Sequence, residues 1–285
     1  MMMPMLDPDV VPPAAPARPV PGRPLEIEAL VREHVCVNDE YRYLSLDLPD
    51  GVPHARPGQF YHLLCPGGDG LEPFFRRPMS VYRVEPERNR VGFLYKVTGT
   101  GTAAMARLWP GDGFNIFGPL GIGFTLPADT APIVLLGRGV GLATMGPLVP
   151  FARENGHRVT AVLSARAPEL LMSVEEMRIA GADVLTVTDS EGTSAVPHVE
   201  GLLEDLVAQG RCGALYVCGS SRLTRLAQSV AARHGLFGEV ALEQQMACGV
   251  GVCFCCVRPF RENGETVHRR VCCEGPVFPL AEALA

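Results

Sequence analysis

The chain from Leu25 to Thr125 is a series of short runs in which apolar and polar positions alternate. Turn signals such as Pro49-Asp50-Gly51 and Arg56-Pro57-Gly58 separate these runs. Several short strands at this spacing are typical of a small antiparallel barrel. We therefore predict a β-barrel over residues 25–127. Its strands are expected at LEIEALVREHVCV, YRYLSLDL, GQFYHLLC, MSVYRVE and RVGFLYKV, and its one helix at GTAAMARLW.

The pattern changes near Ala131, where continuous apolar runs begin to alternate with segments of helical character. Strands that alternate with helices are typical of a parallel, doubly wound sheet. We therefore predict an α/β domain over residues 128–240. Its strands are expected at PIVLLG, HRVTAVLSA, ADVLTVTD and ALYVCG, and its helices at LATMGPLVPFAREN, PELLMSVEEMRIA, VEGLLEDLVAQ and SRLTRLAQSVAARHG.

The two ends of the chain fit neither pattern. Residues 241–285 are rich in cysteine and glycine and too irregular for either, which indicates a small separate module. Residues 1–24 contain eight prolines and no apolar stretch behind basic residues. We therefore expect a disordered tail there, not a secretion signal.

Composition restricts the class of protein. Of the 285 residues, 47% are hydrophobic and 20% charged, as in an ordinary globular protein with buried cores. The formal net charge of −6 argues against binding to nucleic acid, whose phosphates call for a basic face. No apolar run approaches the roughly 18 residues needed to span a bilayer. We expect a cytoplasmic protein.

Six of the ten cysteines crowd into the 26 residues from 248 to 273. A secreted disulfide scaffold would spread its pairs, so a cluster of this kind indicates metal binding. Cys248, Cys253, Cys256 and Cys272 give the spacing C-x4-C-x2-C-x15-C. The first three match plant-type ferredoxins, in which four thiolates hold a [2Fe–2S] cluster. Glycines within the x4 loop let its backbone approach the cluster closely.

Two other interpretations of the cysteines remain open at this point. Structural zinc normally uses paired C-x2-C knuckles, and only one such pair is present. A thiol–disulfide exchange site at Cys253 and Cys256 would leave Cys248 and Cys272 unexplained. Cys255 and Cys273 adjoin the proposed ligands, and we interpret both as bystanders.

The barrel sequence carries residues suited to a flavin nucleotide. Arg77 begins the RPMS run, and an arginine fork matches a pyrophosphate. Ser80 could hydrogen-bond a flavin ring nitrogen. The turn from Gly99 to Thr102 opens a helix, where backbone N–H groups can bind phosphate. Each motif is weak alone, because such runs are more often ordinary surface turns.

The α/β domain opens with PIVLLGRGVGLATM, a strand, glycine turn and helix of the kind that binds a dinucleotide pyrophosphate. The candidate glycines are Gly137, Gly139 and Gly141, although the full Rossmann fingerprint is absent. Arg138 interrupts the turn. It is interpreted as a solvated charge, as a salt bridge to the neighbouring domain, or as a group that pairs with or blocks a dinucleotide phosphate.

The order of these motifs resembles the ferredoxin–NADP reductase superfamily, and most closely the electron-transfer subunit of two-subunit bacterial dihydroorotate dehydrogenase. The resemblance covers residues 25–285. Its motifs are RRPMS, LYKV-x-GTGT, PGD-x5-GPLG, the glycine-turn α/β domain, LEQQMACGVGVC-x2-C and VC-x-EGPVF.

The resemblance implies an FAD-binding barrel, a nicotinamide domain and a cluster module. The FAD contacts carried over are Arg77, Pro78, Met79, Ser80, Leu94, Tyr95, Lys96, Gly101 and Thr102. The matching cluster ligands are Cys248, Cys253, Cys256 and Cys272. Cys218-Gly219 resembles the turn near the nicotinamide ring, and Asp189 stands near the cofactor ribose; an ordinary core cysteine and a strand-end cap are the alternatives.

The implied function is electron transfer between NAD(P)(H), FAD, a [2Fe–2S] cluster and an FMN-type dehydrogenase subunit in a hetero-oligomer. The implied substrate of that partner is dihydroorotate. Relatives usually carry glycine at position 138, proline at 144 and often proline at 220. Two alternatives therefore stay open: a reductase component for another dehydrogenase, an oxygenase or a ferredoxin, and a regulatory subunit without nicotinamide turnover.

Overall fold

A computed structural model describes residues 22–67 and 73–284 of the chain. Six strands within these residues close into an antiparallel barrel in the order β1-β2-β5-β4-β3-β6. The barrel strands are β1 (Leu25–Cys36), β2 (Tyr41–Asp47), β3 (Phe60–Leu63), β4 (Arg77–Glu85), β5 (Arg90–Lys96) and β6 (Gly113–Leu120). The predicted barrel is confirmed, although β6 was missed. The tail expected over residues 1–24 lies almost entirely outside the described residues.

The alternation along the barrel strands separates two faces. On β3, Tyr61 and Leu63 belong to the core that fills the barrel. Phe60 belongs instead to the core shared with the C-terminal segment. Since successive side chains of a strand point to opposite faces, β3 has one face in the barrel and the other against the C-terminal segment.

The predicted doubly wound sheet is also confirmed. Within the described residues it has the order β14-β11-β10-β7-β8-β9, in which β7 to β11 are parallel and β14 is antiparallel. Strand order reverses between β7 and β10, and ligands bind beyond the carboxyl ends of strands at such a point. The strands are β7 (Ile133–Arg138), β8 (Val159–Ala165), β9 (Ala182–Thr188), β10 (Ala214–Cys218), β11 (Phe237–Ala241) and β14 (Val277–Pro279).

Two predicted helices are wrong in detail. The helix expected over 142–155 is broken at Gly146, which packs directly on Tyr82 of the barrel. The helix expected over 168–180 is a 3₁₀ turn followed by a short helix. Ser173 breaks it with a left-handed φ of 63°, and its Oγ lies 2.9 Å from the Tyr82 hydroxyl. The helices are α1 (Thr100–Met105), α2 (Gly141–Met145), α3 (Leu148–Glu154), α4 (Val174–Ile179), α5 (Val196–Ala208), α6 (Ser221–His234) and α7 (Val271–Glu274).

The C-terminal segment is more regular than its composition indicates. An Asn263-Gly264 turn, with positive φ at both residues, joins β12 (Val257–Glu262) to β13 (Glu265–Arg270). After α7, strand β14 pairs with β11 at the edge of the parallel sheet. The hairpin and β14 were missed in the sequence, which indicated only that this segment fits neither earlier pattern.

A buried carboxylate fixes the connection between barrel and sheet. Oε2 of Glu239, on β11, accepts a hydrogen bond from the backbone N–H of Thr125 at 2.9 Å. Its Oε1 accepts one from the Thr125 hydroxyl at 2.8 Å. The Tyr216 hydroxyl donates to the Thr125 carbonyl at 2.7 Å. The linker after β6 is thus held to two sheet strands.

The described part of the chain has no helix of the length and apolarity that crossing a bilayer requires.

Candidate functional site

A large cavity lies where the barrel, the reversal point of the sheet and the C-terminal segment meet. Its volume of about 1050 Å³ is at the upper end of ligand cavities. Most of the predicted FAD contacts line it: Arg77, Pro78, Met79, Ser80, Leu94, Tyr95, Lys96 and Thr102. Thr144, Cys218 and Cys255 line the same space, which we name the central cavity. The barrel, the sheet and the loop of residues 248–256, which we name the cysteine loop, therefore share one site.

The arginine and the glycine turn of the barrel lie together in the structure. A Cβ added to Gly101 would stand 2.7 Å from the Arg77 guanidinium, so the glycine leaves room for this side chain. The Thr102 hydroxyl accepts hydrogen bonds from the N–H groups of Thr98, at 2.9 Å, and Gly99, at 3.1 Å. Thr102 thus fixes the turn beside Arg77.

Two other predicted contacts on β5 are engaged with protein groups. Tyr95 packs in the barrel core, and its hydroxyl lies 2.9 Å from Nε2 of His34. Lys96 donates a hydrogen bond to Glu40 at 2.8 Å. Glu40 also binds Arg166 of the α/β domain, and these two bonds, first that of Lys96, lower the pKa of the Glu40 carboxyl. Glu40 of the barrel therefore links Lys96 to Arg166 of the α/β domain and holds the Lys96 side chain in position.

The glycine turn after β7 lies directly against the end of β10. A Cβ on Gly141 would stand 2.6 Å from the Cys218 carbonyl oxygen, so only glycine allows this approach. Gly139 has a φ of 57°. Cys218 is fully buried, and burial raises the pKa of its thiol. The predicted nicotinamide residues Gly137, Gly139, Gly141, Cys218 and Gly219 thus converge at the reversal point.

Arg138 pairs within the α/β domain. Its guanidinium binds the two oxygens of Asp189 at 3.1 and 2.6 Å and donates to the Ser164 hydroxyl at 2.7 Å. Gly219 packs on its stem, since an added Cβ there would lie 3.2 Å from Cβ of Arg138. The interpretation of Arg138 as a salt bridge to the neighbouring domain is wrong. Asp189, the predicted ribose contact, lies beside Arg138 and is not part of the central cavity wall.

One wall of the central cavity was not predicted from the sequence. Residues 241–247, between β11 and the first clustered cysteine, line it. Glu243 opens onto the cavity, and the surrounding protein raises the pKa of its carboxyl by desolvation. The LEQQMA run could have indicated this wall, because its polar residues directly follow a strand of the parallel sheet. Ligands bind beyond the carboxyl ends of such strands.

The four predicted cluster ligands lie in two pairs. Cys253 is close enough to Cys248 to lower the pKa of its thiol, and the backbone N–H of Cys272 donates to the sulfur of Cys256 at 3.4 Å. Over the described ranges, no three His, Cys, Asp or Glu side chains are grouped to hold a single metal ion. Two pairs of thiolates are the donor set for two irons. The residues present therefore fit a [2Fe–2S] cluster.

Backbone N–H groups around Cys248 favour the ionised form of its thiol. Burial opposes ionisation of this thiol, but hydrogen bonds from the Cys253 thiol and from the N–H groups of Cys253, Val250 and Val252 lower the pKa of Cys248 to about 6. Gly249 and Gly251, with φ of 72° and 82°, make the turn that aims these amides inward. The loop therefore provides the donors that a metal-bound thiolate needs.

The two remaining cysteines lie outside the pairs. Cys255 is exposed and lines the central cavity. Cys273 lies against Gly251, where an added Cβ would meet its sulfur at 2.6 Å. Their interpretation as bystanders stays a prediction.

Comparison with known proteins gives consistent results. Residues 243–283 match the family model for the iron-sulfur cluster binding domain of dihydroorotate dehydrogenase B. The dihydroorotate dehydrogenase B (NAD(+)) electron transfer subunit of Desulforamulus reducens is 33% identical over 237 residues, which are 83% of this chain and 90% of the relative. The same subunit of a Geobacillus species is 30% identical over 233 residues, 80% of this chain and 86% of the relative.

Among solved structures, the NADH-dependent reduced ferredoxin-NADP oxidoreductase, described in a study of flavin-based electron bifurcation, matches with a TM-score of 0.75. It is 25% identical, and the match covers 89% of this chain and 88% of the solved chain.

The barrel, the parallel sheet and the paired cysteines around one cavity define an oxidoreductase of the ferredoxin–NADP reductase type with an added iron-sulfur module. Within that class, the chain belongs to the family of dihydroorotate dehydrogenase B electron transfer subunits.

Proposed function

We propose that this chain carries electrons between NAD(P)(H) and a partner dehydrogenase through FAD and a [2Fe–2S] cluster. One observation supports this most strongly: the central cavity is lined at once by the barrel residues, by Cys218 at the sheet edge and by Cys255 of the cysteine loop. When bound, FAD supplies hydride exchange with a nicotinamide and single-electron exchange with an iron-sulfur centre. No side-chain acid or base is required.

The barrel residues would hold the FAD. The Arg77 guanidinium, which lies against Gly101 and donates to the Phe75 carbonyl at 2.6 Å, would bind phosphate, and the Thr102 hydroxyl keeps the adjoining turn in place. Ser80 lines the cavity on β4 and would orient the ring through its hydroxyl. The other contacts proposed are Pro78, Met79, Leu94, Tyr95, Lys96 and Gly101.

The reversal point of the sheet would bind the dinucleotide. Gly137 and Gly141 let the turn pack closely against Leu142 and the Cys218 carbonyl, and the N–H groups of this turn would bind its pyrophosphate. Cys218 stays a protonated thiol because it is buried, so it offers the nicotinamide an uncharged surface. Asp189 and Gly219, held by Arg138, would meet the ribose side of the cofactor. The cysteines Cys248, Cys253, Cys256 and Cys272 would ligate the cluster.

The proposed partner is an FMN-type dehydrogenase subunit that oxidises dihydroorotate, since the relatives carry the name of dihydroorotate dehydrogenase B electron transfer subunits. The cysteine loop presents Val250, Val252 and Phe254 to solvent, with Val252 74% exposed. Exposed apolar side chains of this kind favour a protein interface. We also propose the domain bounds 25–127, 128–240 and 241–285. The cytoplasm is the proposed compartment, because ten cysteines without a disulfide among them suit a reducing environment.

An anaerobic titration tests the proposal. The purified chain should contain about two irons and two sulfides, and NADH or NADPH should bleach its flavin band and then reduce the cluster. Dihydroorotate should reduce both centres only when the partner subunit is present. Four irons or zinc alone would contradict the cluster. A flavin that neither nucleotide bleaches would support a regulatory role instead, and reduction with no response to dihydroorotate would indicate another partner.

A further inference from the structure

A histidine on the barrel lies at the boundary with the cysteine loop. His62 is on β3, two residues after Phe60, so it shares the strand face that looks away from the barrel core. Phe60 packs in the same core as Cys256 and Cys272. The rings of Phe60 and His62 lie 5.7 Å apart. His62 therefore faces the C-terminal segment.

One nitrogen of the His62 imidazole is buried without a hydrogen-bond partner in the described part of the chain. His62 is 1% exposed, and its Nε2 has no hydrogen-bond partner within the described residues. Buried polar atoms in native proteins are nearly always paired, and an unpaired one calls for a partner such as an ion or a cofactor. The surroundings of Nε2 identify that partner.

Nε2 lies against the loop that follows the first cluster cysteine. A Cβ added to Gly249 would stand 3.0 Å from Nε2, and Leu120 closes the same spot at 3.1 Å. Gly249 is buried and directly follows Cys248. His62 is not among the residues that line the central cavity, whereas Phe60 is. The free nitrogen thus faces the cysteine loop and is separate from the flavin site.

The ring is neutral under ordinary conditions. Burial, and after it the charge of Arg76, lowers the pKa of His62 to about 4. One ring nitrogen of a neutral imidazole carries a hydrogen, so Nε2 can act as a donor. Iron-sulfur sulfurs accept hydrogen bonds, and such bonds stabilise the reduced, more negative cluster.

We propose that His62 is a positioning residue for the cluster: its Nε2–H donates a hydrogen bond to a sulfur on the Cys248 side and raises the reduction potential. This inference rests on the proposed function, because it requires a cluster held by Cys248. It assigns to the barrel wall a role in setting the potential of a centre that the C-terminal segment ligates. A barrel residue thereby helps decide how readily the cluster accepts an electron.

The test is an EPR-monitored redox titration of the whole chain with its cofactors. His62→Leu should retain two irons and shift the cluster midpoint to a more negative potential, with the flavin potential unchanged. His62→Gln, whose amide can donate, should restore part of the shift. Tyr61→Phe is the matched control, because the Tyr61 hydroxyl is also buried with no hydrogen-bond partner among the described residues but points into the barrel. It should leave the cluster potential unchanged.

A second measurement, on wild-type protein, tests the hydrogen bond even if the variants lose their cluster. In wild-type protein labelled with ¹⁵N-histidine, pulsed EPR of the reduced cluster should detect weak nitrogen coupling, which His62→Gln should remove. A wild-type cluster without that coupling, or a His62→Leu cluster with unchanged potential, overturns the role of His62 and leaves the proposed function standing. Wild-type protein that binds no iron overturns both.

Discussion

At the scale of single residues, the glycine that begins α2 determines whether the nucleotide turn can form. Gly141 touches the Cys218 carbonyl, where any side chain would collide with backbone. Gly141→Ala should lower the free energy of unfolding by about 1–3 kcal/mol, as overpacking does, and weaken NAD(P)H binding. Urea unfolding and nucleotide titration measure the two effects.

The matched control for Gly141 is a glycine in open space. Gly201 lies inside α5 with nothing near its missing Cβ. Gly201→Ala should raise the free energy of unfolding by about 0.5–1 kcal/mol, since alanine is the better helix former. Equal effects at both positions would show that Gly141 is not constrained by the close approach.

The Arg138–Asp189 pair gives a pH dependence. Hydrogen bonds from Arg138, and then from Ser194, lower the pKa of Asp189. The pair therefore stabilises the fold above the ordinary carboxyl pKa, and this contribution is lost as pH falls through the lowered value. In Arg138→Leu, carboxyl NMR should show the pKa of Asp189 raised towards its ordinary value.

The stability effect of Arg138→Leu at neutral pH should be a few tenths to about 1 kcal/mol, because the Asp189 side chain is 43% exposed. Arg178→Leu, which removes an exposed pair with Glu175, is the control and should leave the Asp189 titration unchanged. An unshifted Asp189 in Arg138→Leu would contradict the assignment.

At the scale of elements, strand β14 attaches the C-terminal segment to the parallel sheet. Besides pairing with β11, the segment after β14 receives two hydrogen bonds from Gln228 of α6, to the carbonyls of Leu280 at 2.8 Å and Ala283 at 2.7 Å. Gln228→Ala should destabilise this segment by about 1–2 kcal/mol, at roughly 1 kcal/mol per bond. Hydrogen exchange over residues 277–283 should then be faster.

Ser229→Ala is the control for Gln228, since Ser229 lies on the same helix and contacts only the exposed Arg233 among the bonds described. It should leave exchange at the C-terminus unchanged. Unchanged exchange in Gln228→Ala would show that strand pairing alone holds the segment.

The predictable elements were those whose signal is local. Alternation along β1 to β5 and the strand–helix rhythm after Ala131 were sufficient for barrel and sheet. β6 and β11 were missed because their patterns are weak: β6 is interrupted by Gly118 and Pro119, and β11 is only five residues long. The break at Ser173 was also missed, since its cause is a hydroxyl contact with Tyr82, distant in sequence.

At the scale of the whole molecule, a buried carboxylate ties the linker between barrel and sheet to β11. Thr125→Val removes the hydroxyl bond to Glu239 at nearly constant volume. The loss should cost about 1–3 kcal/mol, because a buried charged acceptor loses a donor. Thermal or urea unfolding measures it, and Thr130→Val, in the exposed part of the same linker, should be close to neutral. A neutral Thr125→Val would mean that the other Glu239 contacts are sufficient.

The site was only partly predictable for the same reason. Spacing alone predicted the four cysteine ligands, since the role proposed for them depends on local loop geometry. His62, Glu243 and the Arg138–Asp189 pair depend on which elements the fold brings together. No pattern around His62 marks it, because its free nitrogen is meaningful only beside Gly249.

One stretch of chain serves two sites, and this bears on where the sequence can change length. Residues 241–247 form a wall of the central cavity, and the cysteine loop begins at the next residue. An insertion or deletion here would alter the cavity and displace the proposed metal ligands together. The Asn263-Gly264 turn, by contrast, joins two strands outside the cavity wall. Among descendants of this sequence, length variation should therefore accumulate at the hairpin tip and be absent between Ala241 and Cys248.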